Sequence, residues 1–139
     1  MKVYATFRSG FNAGHRLHNP ALDDEANRRL YGKCNNPHGH GHNYFVEVTL
    51  AGAVNPETGR FVDLDAAQSW FEDSIVSQVD HRNLNIDVPF MTGIIPTAEN
   101  IAMAVFELIG KGPYGVYLHQ VRLSESENNA ATVTADGAA

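Results

Sequence analysis

Three histidines and the only cysteine of the chain lie within thirteen residues, GKCNNPHGHGHNY at 32–44. His40 and His42 are two residues apart and lead into an alternating apolar segment, so their side chains would share one face of a strand. Two imidazoles on one face form half of a zinc site, and His15, at the end of the first predicted strand, is the candidate for a third ligand. Three histidines with an open fourth position are typical of catalytic zinc. The pattern HxH also occurs in polar turns, so both interpretations stay open.

Cys34 has polar neighbours, with Lys33 before it and Asn35 and Asn36 after it. A single cysteine is usually a small buried hydrophobic residue. A nearby cation or metal would instead lower the pKa of the thiol and favour the reactive thiolate. The residues alone therefore leave Cys34 as a metal ligand, a nucleophile, a base or an inert thiol.

Acid–base groups occur at two further places. Asp80 stands next to His81, and an aspartate beside a histidine can orient the imidazole or pass a proton. The same pair would also suit a helix C-terminus, where a histidine is favoured. Glu125 ends the apolar face of the last clear strand, where an inward carboxylate would need a partner such as a fork of N–H donors on a ligand. A strand-end carboxylate turned to water is the alternative.

The strands that must position these groups follow from period-2 alternation. The first covers 2–8 and runs on towards His15, and the second covers 42–51. The turn sequence NPETG and the segment RFVDL predict that 42–63 forms a hairpin. The third strand covers 116–125, with one face formed by Tyr117, His119, Val121, Leu123 and Glu125. The tail 126–139 predicts a weak edge strand and is otherwise expected to be partly frayed.

Helical spacing predicts two helices after the second strand and a short one before it. The connection 20–33 holds the short helix. Asp63 or Asp65 caps a helix that ends at Val79, and Thr97 caps another. The apolar stripes of these two helices consist of Leu64, Ala67, Phe71 and Ile75, and of Ile101, Val105, Leu108 and Ile109. Strands grouped with two later helices indicate one α+β domain over 1–139, an antiparallel sheet with helices on one side.

Composition narrows the class of protein. The chain has 139 residues, 43% of them apolar, and a net charge of −6. The excess of acidic residues argues against nucleic acid or an anionic membrane as the main partner. No apolar run approaches the length of a bilayer span, and the N-terminus lacks a signal-peptide pattern. One cysteine cannot form an internal disulfide, so the expected location is the reducing cytoplasm.

Several segments together resemble one enzyme family along nearly the whole chain. They are FNAGHRLHNP, GKCNNPHGHGHNY, VNPETG, DHRNLNIDVPF, PTAEN and LSESENN. The chain is similar to the 6-pyruvoyl-tetrahydropterin synthase family, which includes 6-carboxytetrahydropterin synthases, and the pyruvoyl type is favoured. The resemblance implies the tunnelling fold, a four-stranded antiparallel sheet with two helices on one face. It also implies a homohexamer built as a dimer of trimers, with active sites between subunits.

The resemblance also implies roles for individual residues. It implies that Zn²⁺ is held by His15, His40 and His42. Cys34 matches the catalytic cysteine, and Asp80 and His81 match the proton-relay pair that a neighbouring subunit supplies. For the substrate, Glu125 matches the carboxylate that anchors the pterin ring and Thr97 matches a pterin-contacting threonine, with Glu99 beside it.

The implied reaction converts 7,8-dihydroneopterin triphosphate to 6-pyruvoyl-tetrahydropterin and triphosphate, as in tetrahydrobiopterin synthesis. Zinc would bind the side-chain hydroxyls, and the Cys34 thiolate would act as a base rather than a nucleophile. The triphosphate needs cations, for which Arg16, Arg28 and Lys33 are candidates.

The run HGHGH leaves two registers for the metal site. Cys34, His38 and His40 fit the shorter spacing of the carboxy-type enzymes of queuosine synthesis. Cys34, His40 and His42 fit the longer pyruvoyl-type spacing, which the following Asn-Tyr and the pattern KCNNP favour. A carboxy-type enzyme is therefore the alternative, and a non-catalytic pterin- or zinc-binding protein is a remoter one.

Overall fold

The two longest strands follow the predicted alternation of apolar and polar residues. The computed structural model describes residues 1–135. β1 (Val3–His15) and β2 (His40–Gly52) have 13 residues each and pair antiparallel throughout, with His15 directly opposite His40. The predicted second strand is confirmed and starts two residues earlier than expected, at the first of the paired histidines.

Three shorter strands complete the sheet. They are β3 (Arg82–Asn83), β4 (Leu118–Ser124) and β5 (Ala130–Thr134), and the strand order is β3-β1-β2-β4-β5. All neighbours are antiparallel except β3, which runs parallel to β1. The predicted four-stranded antiparallel sheet is therefore confirmed. β3 is a fifth strand, too short to give an alternation signal in the sequence.

The edge strand predicted in the tail 126–139 is β5. It pairs with β4 from Ala130 opposite Ser124 to Thr134 opposite Gln120. Residues 136–139, which belong to the segment predicted to be partly frayed, lie outside the described residues.

The helices pack on one face of the sheet. α1 (Asp24–Tyr31) belongs to the connection that joins β1 to β2 in the sequence. α2 (Leu64–Phe71) continues through a π-helical turn (Glu72–Val76) into the short α3 (Ser77–Val79), and α4 (Ala98–Gly110) precedes β4. The α+β class and both predicted long helices are confirmed.

Side-chain caps start the helices where the sequence predicts. The Asp63 carboxylate accepts the backbone N–H of Ala66, and the Thr97 hydroxyl accepts that of Asn100 at 3.1 Å. Each cap satisfies a backbone donor that the first helical turn leaves unpaired.

The π-helical turn keeps one stripe of side chains in the core. Ala67, Phe71, Ile75 and Val79 are all buried and recur every four residues. An α-helix has about 3.6 residues per turn, so a strict repeat of four would drift around its surface. The wider turn at Glu72–Val76 offsets this drift.

The core lies between these helices and the inner face of the sheet. Its largest fully buried apolar side chains come from the strands, both long helices and the loop between them; they are Tyr44, Val46, Val48, Leu50, Phe71, Leu84, Met91, Ile101, Val105, Ile109 and Leu123. No helix among residues 1–135 is both long and apolar enough to cross a bilayer.

The predicted hairpin over 42–63 is wrong. β2 pairs with β1 along one edge and with β4 along the other, so it has no free edge for a third partner. Residues 55–60 instead form a small turn closed by a single bridge between Asn55 and Arg60. Phe61 then packs on Gly52, where an added Cβ would come within 2.5 Å of the phenyl ring.

The predicted face of the third strand is wrong in its first half. The pairing of β4 with β2 shifts where Thr49 faces Gln120 but Leu50 faces Leu118, which leaves His119 as an extra residue. Such a bulge reverses the alternation. Leu118 is therefore buried with Val121, whereas Tyr117 belongs to a 3₁₀ turn before the strand.

A buried amide organises the long connection between β1 and β2. Asn27 in α1 is fully buried, and its side-chain oxygen accepts the backbone N–H of Asn19 at 2.7 Å. Its amide N–H₂ donates to the carbonyl oxygens of Asn19 and Asp23, both at 3.0 Å. The segment from Asn19 to α1 is thus held together by the hydrogen bonds of one buried side chain.

Asn27→Ala should destabilise the protein by roughly 1–3 kcal/mol, because it removes the hydrogen bonds that this buried side chain makes to the backbone. Urea unfolding measures this change. Arg29→Ala, on the exposed part of the same helix, is the control and should stay within about 0.5 kcal/mol of the parent protein. Equal unfolding midpoints for the two variants would contradict this role of Asn27.

Candidate metal centre and active site

Strand pairing brings the three predicted histidine ligands together. His15 is the last residue of β1 and lies opposite His40, the first residue of β2, while His42 follows on the same face. The Nε2 atoms of His15 and His40 are 3.2 Å apart, and the ring centroids of His15 and His42 are 5.0 Å apart. Because opposite and diagonal residues on one sheet face are neighbours, this register alone suffices to form the cluster.

The tautomer of His15 is set by a backbone carbonyl. Its Nδ1–H donates to the carbonyl oxygen of Pro96 at 2.8 Å, which leaves the Nε2 lone pair directed at the other histidines. The Tyr44 hydroxyl lies 3.3 Å from the same Nδ1. Ligating histidines commonly have such a partner on the second ring nitrogen.

Burial favours the neutral form of two of the clustered imidazoles, His15 and His42. It lowers the pKa of both His15 and His42, and this effect outweighs the opposing influence of the Glu125 carboxylate. Burial also raises the pKa of the Tyr44 hydroxyl, with further contributions from negative charge on Glu125 and on Cys34. Neutral imidazoles are the form that binds a metal.

Glu125 joins the histidine cluster. Its Oε1 lies 2.9 Å from His42 Nε2 and 3.4 Å from His15 Nε2. One ligand atom from each of His15, His40, His42 and Glu125 can be chosen so that all four lie within 4.8 Å of one another. The sequence predicted this carboxylate as a substrate anchor and did not predict its place among the histidines.

The donor set fits a zinc-like metal ion. Three imidazole nitrogens and a carboxylate oxygen are ligands that Zn²⁺ accepts in tetrahedral sites. His42 Nε2 is buried and, among the described residues, has no hydrogen-bond partner of acceptable geometry. A buried nitrogen without such a partner is costly in a protein interior and is explained if it points at a metal.

Glycine is required at the turn that leads into β2. Gly39 has a φ of +74°, and an added Cβ would lie 2.9 Å from the carbonyl oxygen of His15. Both the backbone conformation and the close approach exclude larger residues. The turn can therefore press against the end of β1 and bring His40 opposite His15.

Cys34 sits on a short 3₁₀ turn (Gly32–Asn35) that is bonded to the end of β1. The Leu17 N–H donates to the Cys34 carbonyl oxygen at 2.8 Å, and the Asn35 side-chain amide donates to the Leu17 carbonyl oxygen at 2.7 Å. The thiol is half-buried and unpaired, and it does not belong to the cluster of ligand atoms. The backbone of Cys34 is thus held beside Leu17, two residues beyond the end of β1.

Asp80 and His81 stand apart from the cluster of their own chain. The Asn12 N–H donates to Asp80 Oδ1 at 3.0 Å, and His81 Nδ1 lies 3.0 Å from the same oxygen. Asn12 precedes His15 by three residues, roughly 10 Å along a strand. The His81 side chain is 82% exposed. The pair is assembled but faces solvent at the edge of the sheet.

The pKa of Asp80 is lowered, first by the hydrogen bond from the Asn12 N–H and then by His81. An ionised carboxylate at this distance can fix the orientation of the imidazole. His81 itself has a φ of 60°, a left-handed conformation that turns the chain back into β3.

The two predicted substrate contacts lie at the start of α4, and one of them, Thr97, follows a residue that contacts the metal cluster. Pro96, which accepts the His15 N–H, directly precedes Thr97. The Thr97 oxygen caps the helix, but its hydroxyl proton remains able to donate to a ligand. Glu99 is exposed in the first turn of the helix.

His38 is exposed in the turn before β2 and is not among the clustered ligands. Among the described residues, the geometry therefore matches the longer register, with His40 and His42, and not the shorter one.

Two openings border the site. A cleft of about 720 Å³ is bordered by His42, Phe45, Arg122 and Glu125. A second pocket, of about 450 Å³, adjoins the Cys34 turn and is lined by Arg16, Arg28 and Lys33. The three cations proposed from the sequence for the triphosphate thus surround one pocket.

Sequence reasoning missed three groups that hold the site. The Pro96 carbonyl and the Asn12 backbone act across long sequence separations and leave no local signal. The alternation of the second strand did place Tyr44 on the same face as His40 and His42, but Tyr44 was predicted only as a core residue.

Comparisons with known proteins agree along the chain. The family model for 6-pyruvoyl tetrahydropterin synthase matches residues 4–136. The human 6-pyruvoyl tetrahydrobiopterin synthase is 43% identical over 123 residues, 88% of this chain and 84% of the human protein. The Poecilia reticulata protein of the same name is 40% identical over 126 residues, 91% of this chain and 86% of that protein.

The solved structure of Caenorhabditis elegans 6-pyruvoyl tetrahydropterin synthase superposes with a TM-score of 0.91 at 37% identity, over 96% of each chain. The tunnelling fold that the motifs implied is therefore confirmed. With the match of the family model over 4–136, these likenesses establish that the chain belongs to the 6-pyruvoyl tetrahydropterin synthase family.

Proposed function

We propose that this protein is a zinc-dependent carbon–oxygen lyase that converts 7,8-dihydroneopterin triphosphate to 6-pyruvoyl-tetrahydropterin and triphosphate. The observation that carries the proposal is the convergence of His15, His40 and His42 beside the turn that holds Cys34. Relatives that share at least 40% of their residues with this chain are named for the corresponding synthase.

His15, His40 and His42 would hold the zinc through their Nε2 atoms, with His15 oriented by the Pro96 carbonyl. When bound, zinc polarises the hydroxyls of the substrate side chain and makes the neighbouring C–H protons more acidic.

Cys34 would act as the base that moves protons between the side chain and the ring carbons. The thiol is half-buried and free, and Lys33, which precedes it, lines the neighbouring pocket of cations. A base of this kind needs only to reach the proton, so no covalent bond to substrate is required. The protons removed from the side chain return to the ring, which makes the redox change internal, and triphosphate leaves by elimination.

Asp80 and His81 would form the second acid–base group, acting on the site of a neighbouring subunit. The pair is preassembled, faces solvent and stands roughly 10 Å along β1 from the cluster of its own chain. A homohexamer of two stacked trimers, with sites between subunits, would bring the pair to a cluster. The single thiol that this mechanism needs suits a reducing, cytoplasmic location.

The substrate would be held at both ends. The Glu125 carboxylate, at the cleft, would accept hydrogen bonds from two adjacent N–H groups of the pterin ring. Thr97 and Glu99 would add contacts from the start of α4. The pocket lined by Arg16, Arg28 and Lys33 would hold the triphosphate.

Product analysis by mass spectrometry tests this proposal directly. The zinc-loaded protein is incubated with 7,8-dihydroneopterin triphosphate, and we expect the 6-pyruvoyl product together with free triphosphate. A 6-carboxy product with acetaldehyde would instead assign the chain to queuosine-type chemistry. No product from a fully loaded protein would support a binding role.

His42→Ala should remove most of the bound zinc, because it deletes one of three imidazole ligands. His38→Ala is the matched control, since His38 is exposed in the same segment, and it should keep its zinc. Metal content of the purified variants is the measurement. The reverse pattern would move the site to the shorter register.

Cys34→Ala should keep the zinc but lower turnover by roughly 10²–10⁴-fold, the usual contribution of a general base. Turnover and zinc content are measured on the same preparation. Loss of zinc together with activity would mean that Cys34 is a ligand and not the base.

The double variant Arg28→Ala/Lys33→Ala should raise the KM for the triphosphate substrate about tenfold or more, because it removes two of the cations that line the pocket. A tenfold change corresponds to about 1.4 kcal/mol of binding free energy. Affinity for unphosphorylated dihydroneopterin should not change. Arg29→Ala, a neighbouring arginine that does not line the pocket, is the control. Equal KM values in the variant and the control would place the triphosphate elsewhere.

A further inference from the structure

A buried amide follows Cys34 in the 3₁₀ turn. Asn35 is only 4% exposed and, in the described part of the chain, is one of two buried asparagines, the other being Asn27. The side-chain nitrogen of Asn35 donates to the Leu17 carbonyl oxygen at 2.7 Å and lies 3.1 Å from His18 Nδ1. An amide N–H₂ has two hydrogens, so Asn35 directs both of them at the segment that follows β1.

Two backbone carbonyls of the turn are bonded to the same segment. The Leu17 N–H donates to the Cys34 carbonyl oxygen at 2.8 Å. Arg16 Nε donates to the Asn35 carbonyl oxygen at 3.1 Å. Together with the bond from the Asn35 amide, three hydrogen bonds therefore join the turn to Arg16 and Leu17.

A second amide, that of Asn85, holds the neighbouring residue of this segment. Its side-chain oxygen accepts the Arg16 N–H at 2.7 Å, and its N–H₂ donates to the Arg16 carbonyl oxygen at 2.8 Å. Two backbone groups that face each other in an antiparallel sheet exchange the same pair of bonds. Arg16 thus uses its backbone groups on Asn85, whereas Leu17 uses its own on the Cys34 turn.

The turn has few internal contacts that could fix its place. The bond that closes it, from the Asn36 N–H to the Lys33 carbonyl oxygen, is 3.3 Å long, beyond the usual range for such bonds. Gly32 and Lys33 are exposed, and Cys34 is half-buried. The place of the turn therefore depends on its bonds to residues 16–17. A general base must lie within reach of the proton that it moves, so this place matters for turnover.

We propose that Asn35 and Asn85 are positioning residues for Cys34, which together fix its turn beside the end of β1. Neither side chain needs to touch the thiol, because each acts through the backbone of Arg16 and Leu17. The inference rests on the proposed function for the role of the thiol as a base. It assigns a purpose to two asparagines that lie fifty residues apart in the sequence and meet the same short segment.

Alkylation of the thiol by iodoacetamide tests this placement without requiring turnover, because Cys34 is the only cysteine of the chain. In zinc-loaded Asn35→Ala the turn should open more often, so the half-buried thiol should react about tenfold faster than in the parent protein. Asn85 is exposed, so Asn85→Ala is expected to fold normally. Its thiol should react at least about threefold faster.

Turnover should change in the opposite direction. In Asn35→Ala, kcat for 7,8-dihydroneopterin triphosphate should fall about 10–100-fold and KM should change less than about twofold, because a misplaced base impairs the chemical step and not binding. Zinc content should equal that of the parent protein. A lower kcat with unchanged KM and zinc is not expected from a general loss of stability.

Asn27→Ala is the matched control, because it removes the other buried amide of the same connection and that amide is not bonded to the Cys34 turn. Its alkylation rate and kcat should stay within about twofold of the parent values. Unchanged alkylation in both Asn35→Ala and Asn85→Ala would overturn the proposal, and so would an equal increase in Asn27→Ala. Faster alkylation in those two variants, with a parent protein that forms no product, would support the positioning and contradict the proposed function.

Discussion

The antiparallel pairing of β1 with β2 is the constraint on which the rest of the structure depends. It places His15 opposite His40 and keeps His42 on the same inner face, so three imidazoles meet at one end of the pairing. A slip of one residue would turn every side chain of one strand to the other face. The apolar residues that follow His42 prevent such a slip, because Tyr44, Val46 and Val48 would then face water.

Placing the site at the end of this pairing joins it to three other parts of the chain. The Pro96 carbonyl connects it to α4, the bonds between Leu17 and the Cys34 turn connect it to the β1–β2 connection, and Glu125 connects it to the end of β4. Each of these groups is polar and largely enclosed, so each needs its partner in place. Core packing and site geometry are therefore not separable in this protein.

Local patterns predicted the parts of this arrangement that depend on local chemistry. Alternation identified the strand that carries His40 and His42, and capping residues identified the helices that begin after Asp63 and Thr97. The hairpin over 42–63 failed because alternation does not tell which strands lie on either edge of β2. Glu125 was predicted as a functional carboxylate, but its position beside His42 depends on pairing between distant strands, which no local pattern encodes.

The position of His15 and His40 at the two ends of one long connection has a consequence for the unfolded chain. An ion held by both residues would act as a covalent cross-link does, closing the whole segment 16–39 and reducing the conformational entropy available to it. Proteins of oxidising compartments obtain this effect from disulfides, which a chain with one cysteine cannot form. In this protein the metal ion that activates the substrate would also reduce the number of conformations open to the unfolded chain.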